Sequence, residues 1–518
     1  MQRLSGVAIF LAAAAAIAGC SDDPRQQVDG GAGNGGRGGA GGAPGGSGGG
    51  GAGAGGTLGG AGGGVAGAGG GGSGGGAGAA GAAGSGGAAG GAGVAGAAGV
   101  AGATGAAGAA GAAGAAGVAG GAGAGGTGGA VGGLAPPAAS GIAVLNSSFA
   151  SSSVSILNLQ GGLVRGDCVH SMMIGGAGSQ TISGDVALPS QPQRGGQVVL
   201  LDRGNAALTF VDPTGCTIDR QLSVKGGTFQ RPNPHDVVIV CDSKAYVTRY
   251  DKNGAASPPP LAAGDDVLIL DPRNGTIAGR IDLASYASQV SGTVIQARPD
   301  RAIIVAGKVV VTLNNMNATF STYGQGAIVV IDPATDTVVQ HLTLSGLKNC
   351  EAMDYVAASK TLLVACNGTY GSTDQTLESG VAVVNMATTP ATLTRVISGV
   401  AFNTRPLTFL WVLSLPTATA PNRAFTSTMG DFGPPSSSDT LFGFDFVTGV
   451  TASFGTTTPF DLGRAAITGT GRLLVPDATA STPRVHVYDA RGTGAPTREL
   501  SFVADTVNQF PPREIAAY

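Results

Sequence analysis

The stretch AIVVIDPATD, Ala327–Asp336, decides the fold. It is an apolar run closed by Asp332, then a turn opened by Pro333. The same order recurs as SVSILNLQGG (Ser153–Gly162), ALTFVDPTG (Ala207–Gly215) and DVLILDPRNG (Asp266–Gly275). It returns as VAVVNMATT (Val381–Thr389), LFGFDFVTG (Leu441–Gly449) and VHVYDARGTG (Val485–Gly494). The anchors are Asn158, Asp212, Asp271, Asp332, Asn385, Asp445 and Asp489, separated by 54, 59, 61, 53, 60 and 44 residues. Several short strands per period of this length predict a β-propeller rather than one sandwich. Each anchor, placed before a turn, is expected to accept backbone N–H bonds and fix that turn.

Working outward, each repeat reads as four antiparallel strands. In the third they are NPHDVVIV (Asn233–Val240), KAYVTRY (Lys244–Tyr250), DVLILD (Asp266–Asp271) and TIAGRIDL (Thr276–Leu283). They are rich in Val, Ile, Thr and Tyr and bounded by turn residues. PLTFLWVLSL (Pro406–Leu415) and RAAITG (Arg464–Gly469) read as the first strands of blades 6 and 7. GIAVLNS (Gly141–Ser147) reads as a second strand lacking a first, and PPREIAAY (Pro511–Tyr518) as a first lacking a second. The two ends are therefore expected to complete one blade, which removes free sheet edges. The fold expected is all-β: a seven-bladed β-propeller of four-stranded antiparallel blades after a Gly/Ala-rich tether.

AYVTRYDKN, VVIDPATDTVV and NPHDV resemble the YVTN-type propeller repeats of bacterial surface-layer-like and periplasmic proteins. That superfamily is similar in fold to lactonase-type propellers and amine-dehydrogenase heavy chains. The resemblance is fullest in blades 3 and 4 and faintest in blade 6. It implies fold far more than activity.

Ahead of the repeats, Arg3 and the apolar run Val7–Ala18 form a signal segment too short to span a bilayer. Ile17-Ala18-Gly19-Cys20 resembles the lipobox of bacterial lipoproteins. The resemblance implies cleavage after residue 19 and lipidation of Cys20, a membrane anchor of several acyl chains. Ser21 after the cysteine points to the outer membrane of a bacterial envelope. Residues 20–137 then read as a flexible linker, since more than half of the chain's 95 glycines lie between Gly30 and Gly133. Such a composition buries too little apolar surface to order itself. About 110 residues of Gly-rich coil reach roughly 60 Å. The propeller is expected over residues 138–518.

Composition excludes some partners. Charged residues are 11% of the chain, the net charge is −3, and no basic run exceeds two residues. No nucleic-acid surface is expected. Export permits disulfides. Cys350 and Cys366 should meet if the hairpin between them turns at residues 358–360. Among Cys168, Cys216 and Cys241 no pairing follows from sequence. Cys168 and His170 stand two apart on one strand, the one pairing that would suit a cysteine nucleophile.

Every blade carries a charge where its inner strand begins: Asp185, His235 with Asp236, Arg301, Glu351, Arg405, Arg464, and Arg513 with Glu514. On a propeller these positions ring the mouth of the central channel, where ligands commonly bind. Two readings stand: a mixed-charge funnel for a polar ligand, or a solvated rim whose charges pair across blades. His235 and Glu351 are the catalytic candidates. His235 and Asp236 are adjacent on a strand and point to opposite faces, so neither orients the other. No GxSxG elbow, HExxH pair or phosphate-binding loop is present. The reading is a lipid-anchored envelope protein that binds an envelope protein or a small polar ligand without catalysis or cofactor. The alternative is a lactonase-like hydrolase at the channel mouth with calcium as its cofactor, drawing on Glu351, Asp185 and Asp461.

Overall fold

Ala327–Asp332 forms the third strand of a four-stranded antiparallel blade, paired with Lys308–Leu313 and Thr337–Thr343. The structure, a computed structural model, describes residues 134–175, 179–407, 411–415, 420–431, 436–459 and 461–518. The signal segment, Cys20 and nearly all of the linker lie outside the described residues. Seven such blades are present, and the first is shared by the two ends of the folded region. Pro512–Ala517 is its inner strand and Ile142–Ser147 its second, with Val144 opposite Ile515. The antiparallel pairing of these two strands closes the ring and leaves no free edge there.

Strand chemistry follows position. The second and third strands of blade 4, KVVVTL and AIVVID, are buried along almost their whole length. They lie between neighbouring sheets and present β-branched residues to both faces. The outer strand Thr337–Thr343 alternates between exposed and half-buried residues, as a strand with one wet face does. The core is therefore a series of layers between blades. Val238, Tyr246 and Val267 of blade 3 pack on Ile304, Val311 and Val329 of blade 4.

All seven anchors fix their turns. Asn158 accepts from the N–H of Gln160 and Gly162, Asp212 from Thr214 and Gly215, and Asp445 from Val447 and Thr448. Asp271, Asp332, Asn385 and Asp489 each accept from the residue two further on. This bond favours a tight turn after the third strand over a longer excursion.

Two disulfides join described residues. Cys350 pairs with Cys366 across the hairpin of blade 5, where the two are register partners. Cys168 on the outer strand of blade 1 pairs with Cys216 in blade 2, across 48 residues. Cys168 is thus not a nucleophile beside His170.

The inner strands of blades 6 and 7 are shorter than the full strands expected, and that of blade 2 is as short. Only Val186–Ala187, Leu413–Ser414 and Ala466–Ile467 are paired as strands there. In blade 2 the chain leaves its ladder after Ala187, where Pro189 and Pro192 have no N–H to donate. What it does instead shapes the channel.

Candidate functional site

Leu188–Gln193 runs through the middle of the ring, and inner strands of four blades converge on it. From blade 7, Arg464 Nη1 donates to Leu188 O at 2.7 Å and Nη2 to Pro189 O at 2.5 Å. From blade 1, Glu514 Oε2 accepts the Leu188 N–H at 2.8 Å. From blade 3, Asp236 Oδ1 accepts the Ser190 N–H at 3.0 Å, and the Ile239 N–H donates to Gln193 Oε1 at 2.9 Å. From blade 4, the Ile304 N–H donates to Gln191 Oε1 at 2.7 Å, and Gln191 Nε2 returns a bond to Ile304 O at 3.3 Å. The segment is a plug. A cavity of about 10 Å³ beside it has room for at most one water.

The plug decides the fate of the charged ring. Asp236, Arg301, Arg464 and Glu514 are fully buried, neither lining an open funnel nor standing as a solvated rim. They are latches between blades. Asp236 Oδ2 accepts the Ala302 N–H of the next blade at 2.9 Å, and Arg301 Nη1 donates to His235 O. Burial pushes the Glu514 carboxyl up to about 7 and draws the Arg464 guanidinium down to about 10. Asp354, on the inner strand of blade 5, is the same device: its Oδ2 accepts the Ser414 N–H of blade 6 at 2.6 Å. The remaining members lie elsewhere. Asp185 is ion-paired to Arg203, Arg405 bonds Ser437, and the Arg513 guanidinium sits 4.7 Å over the Phe149 ring. Asp461 accepts from Thr458.

His235 and Glu351 belong to a different group, at the ends of strands in blades 3, 4 and 5. The His235 ring stacks on Tyr250, with centroids 4.1 Å apart and planes 6° apart. Its Nδ1 meets Asp300 Oδ1 at 3.0 Å, and Asp300 Oδ2 accepts from Asn314 Nδ2 at 3.0 Å. Asn314 Nδ2 also lies 3.3 Å from the Tyr250 hydroxyl. Burial holds the His235 imidazole below its ordinary range and so neutral. Glu351 is pushed well above the usual carboxylate range by burial and then by the Asp300 charge, with the Arg301 charge, and after it the Asn367 and Asn349 amides, pulling the other way. Tyr370 bonds Asn367 through its hydroxyl at 3.2 Å and meets Tyr323 edge-on at 6.3 Å.

This cluster is polar, buried and incompletely paired. His235 Nε2, Asn314 Oδ1, both Asn349 amide atoms and Glu351 Oε2 are buried without a hydrogen-bond partner. Each such atom costs on the order of 1–3 kcal/mol. Gathered in one place, they are unused hydrogen-bonding capacity in a buried setting. Above them Phe320, half exposed and at φ 58°, carries the Arg298 guanidinium 4.1 Å over its ring. A bulky residue at positive φ is strained, and strain of this kind concentrates at functional sites.

Sequence reasoning reached His235 and Glu351 but not Asp300, Asn314, Asn349 or the tyrosines. One signal was available. Asn233, Arg298 and Asn349 each precede an inner strand and each has φ near +50°, a conformation that favours asparagine. Among the described residues no three His, Cys, Asp or Glu side chains gather as a metal site.

The chain matches no protein-family model and no curated protein. Solved structures are similar at the level of fold. A hypothetical selenium-binding protein from Sulfolobus tokodaii aligns at 10% identity and a TM-score of 0.46, over 74% of this chain and 94% of that one. A putative 6-phosphogluconolactonase from Bacteroides fragilis aligns at 12% and 0.39, over 72% and 96%. BamB from Moraxella catarrhalis aligns at 15% and 0.34, over 71% and 86%. The chain is a seven-bladed β-propeller.

Proposed function

We propose that this protein is a lipid-anchored component of a bacterial envelope, held at the outer membrane through Cys20. It displays its propeller on the Gly/Ala tether for non-catalytic binding of a small polar ligand. The ligand site is the blade 3–5 cluster of His235, Asp300, Asn314, Asn349 and Glu351. The observation that carries this reading is the set of buried polar atoms without partners beside aromatic rings. A neutral His235 and a protonated Glu351 offer hydrogen bonds without net charge, and Tyr250, Tyr323 and Tyr370 offer ring faces and edges. That chemistry suits an uncharged polyhydroxylated molecule better than an anion.

A second reading is favoured by a narrower observation. Three of the atoms without partners, Asn314 Oδ1, Asn349 Oδ1 and Glu351 Oε2, are oxygens, and Asp300 stands beside them. Oxygen donors of this kind suit a calcium ion. On that reading Glu351, Asn314 and Asn349 would hold the ion, and the site would serve a lactonase-like hydrolase.

Thermal unfolding of the intact chain in EDTA and in millimolar calcium separates the two. The binding reading predicts no change with calcium. It also predicts a non-covalent small-molecule mass in native mass spectra of protein purified from its own envelope, absent from the Asn314→Leu chain. Calcium bound at about 100 times its dissociation constant would add about 2.7 kcal/mol; a shift of that size moves the reading to the hydrolase. No calcium shift together with identical native spectra for both chains would end the binding reading.

A further inference from the structure

We propose a second site on blade 7, in which Ser501 is a nucleophile toward carboxylic esters that carry an apolar acyl or aryl group. Three strands place it. Asp477 ends the second strand, Arg472–Asp477; His486 lies in the third, Arg484–Asp489; Ser501 lies in the outer strand, Thr497–Phe502. His486 is the register partner of both Val475 and Ser501. Asp477 is two residues beyond Val475 and so on the same face. The side chains form a row from the buried interior outward. His486 Nε2 is 2.9 Å from Asp477 Oδ2, and His486 Nδ1 is 2.7 Å from Ser501 Oγ.

The row has a direction. Asp477 Oδ1 accepts from the Thr479 N–H at 3.0 Å, the Thr479 hydroxyl at 2.6 Å and the Thr457 hydroxyl of blade 6 at 2.9 Å. Burial raises the Asp477 carboxyl, but the bonds from His486, Thr479 and Thr457 outweigh it and hold the group below its ordinary range. An ionised Asp477 only accepts, so the neutral ring carries its proton on Nε2 and turns the Nδ1 lone pair to the Ser501 hydroxyl. His486 is buried, whereas Ser501, at the outer end, is half-buried.

The repeat itself shows that the sheet does not require this row. The residue three before each anchor is Ser155, Thr209, Leu268, Val329, Ala382 or Phe442 in the other blades. Those residues are apolar or carry a small hydroxyl. Only blade 7 has histidine there. Beside the row, Tyr488 lies on the same face and meets Phe454 edge-on at 5.4 Å. Tyr488 is itself buried in the core between blades 6 and 7, so the half-buried Phe454 ring is the apolar surface this side of the row offers to an acyl or aryl group.

The reaction balances with ester and water alone. Ser501 Oγ bonds to the acyl carbon as its proton passes to His486 Nδ1, and the carbonyl π pair moves to oxygen. The carbonyl re-forms, the carbon–oxygen bond to the alcohol breaks, and Nδ1 protonates the leaving alcohol. Water then attacks the acyl-serine by the same route and releases the acid. Asp477 is a positioning residue throughout.

The test is covalent labelling of the intact chain by an alkyl fluorophosphonate, with the modified peptide mapped by mass spectrometry. The expected result is labelling at Ser501, with slow hydrolysis of p-nitrophenyl acetate. Ser501→Ala removes both. His486→Gln and Asp477→Asn each slow labelling by roughly 100-fold or more. Ser501→Ala deletes only a half-buried hydroxyl, so it controls for folding. Folded wild-type chain unlabelled at Ser501 overturns the proposal, as does labelling at an unchanged rate in a folded His486→Gln chain.

Discussion

Asp236→Ala lowers the stability of the propeller by about 3–5 kcal/mol. The carboxylate is fully buried and accepts three backbone N–H bonds, from Ser190 in the plug, Ala302 in blade 4 and Val237 on its own strand. Alanine leaves all three donors buried and unpaired, in a place the plug keeps dry. It also removes a negative charge near Arg301. Asp236→Asn keeps one acceptor oxygen but turns an NH₂ toward an N–H, so its loss is intermediate. Denaturant unfolding followed by tryptophan fluorescence measures both, because the single tryptophan, Trp411, is fully buried between blades 6 and 7. A loss under about 1 kcal/mol for the alanine variant would mean that the plug is not held by this latch.

Stability also rises as pH falls from 8.5 to 6.5, by at least about 2 kcal/mol. Burial pushes Asp354 and Glu514 each to about 7 in the folded protein, and Glu351 well above its ordinary value. In the unfolded chain the same carboxyls titrate near 4. Across this window the folded state therefore holds protons that the unfolded state has lost. The contribution is fully present at low pH and is lost as pH rises through about 7. Below about 6.5 the sign begins to turn. His235 is held below its ordinary range by burial, so the unfolded chain gains a proton there that the folded chain does not. The expected profile is a maximum on the acid side of neutrality. Asp354→Asn should flatten it by about 1 kcal/mol over the same window. A profile that is flat or rises toward pH 8.5 would contradict the assignment of these carboxyls to a dry channel.

What the sequence made legible was local. Each anchor caps a turn two to four residues away, so seven copies of one short-range interaction declared seven blades. The shared blade was legible because Gly141–Ser147 and Pro511–Tyr518 are complementary halves of one repeat. Cys350 and Cys366 were legible because a single hairpin fixes their register. The plug was not. Pro189, Gln191 and Pro192 read as an ordinary connection after a short strand, and the partner of Gln191 is Ile304, 113 residues away. Once that segment enters the channel, charges that belong at a wet mouth become buried latches. The cluster around Glu351 was half legible for the same reason: Asp300, Asn314 and Tyr250 come to it only when three blades close side by side. Cys168 and Cys216 likewise meet only across a blade boundary.

The most direct test of the site is thermal unfolding of the intact Glu351→Met chain beside wild type, both in EDTA. Methionine matches glutamate in length and has no polar atom to leave unpaired. If Glu351 stands ready for a ligand, its removal relieves an unpaired buried group, and the melting temperature rises by a few degrees, about 1–2 kcal/mol. A fall of several degrees would show that Glu351 is bonded into the fold as a latch like Asp236, and that the blade 3–5 cluster is not a binding site.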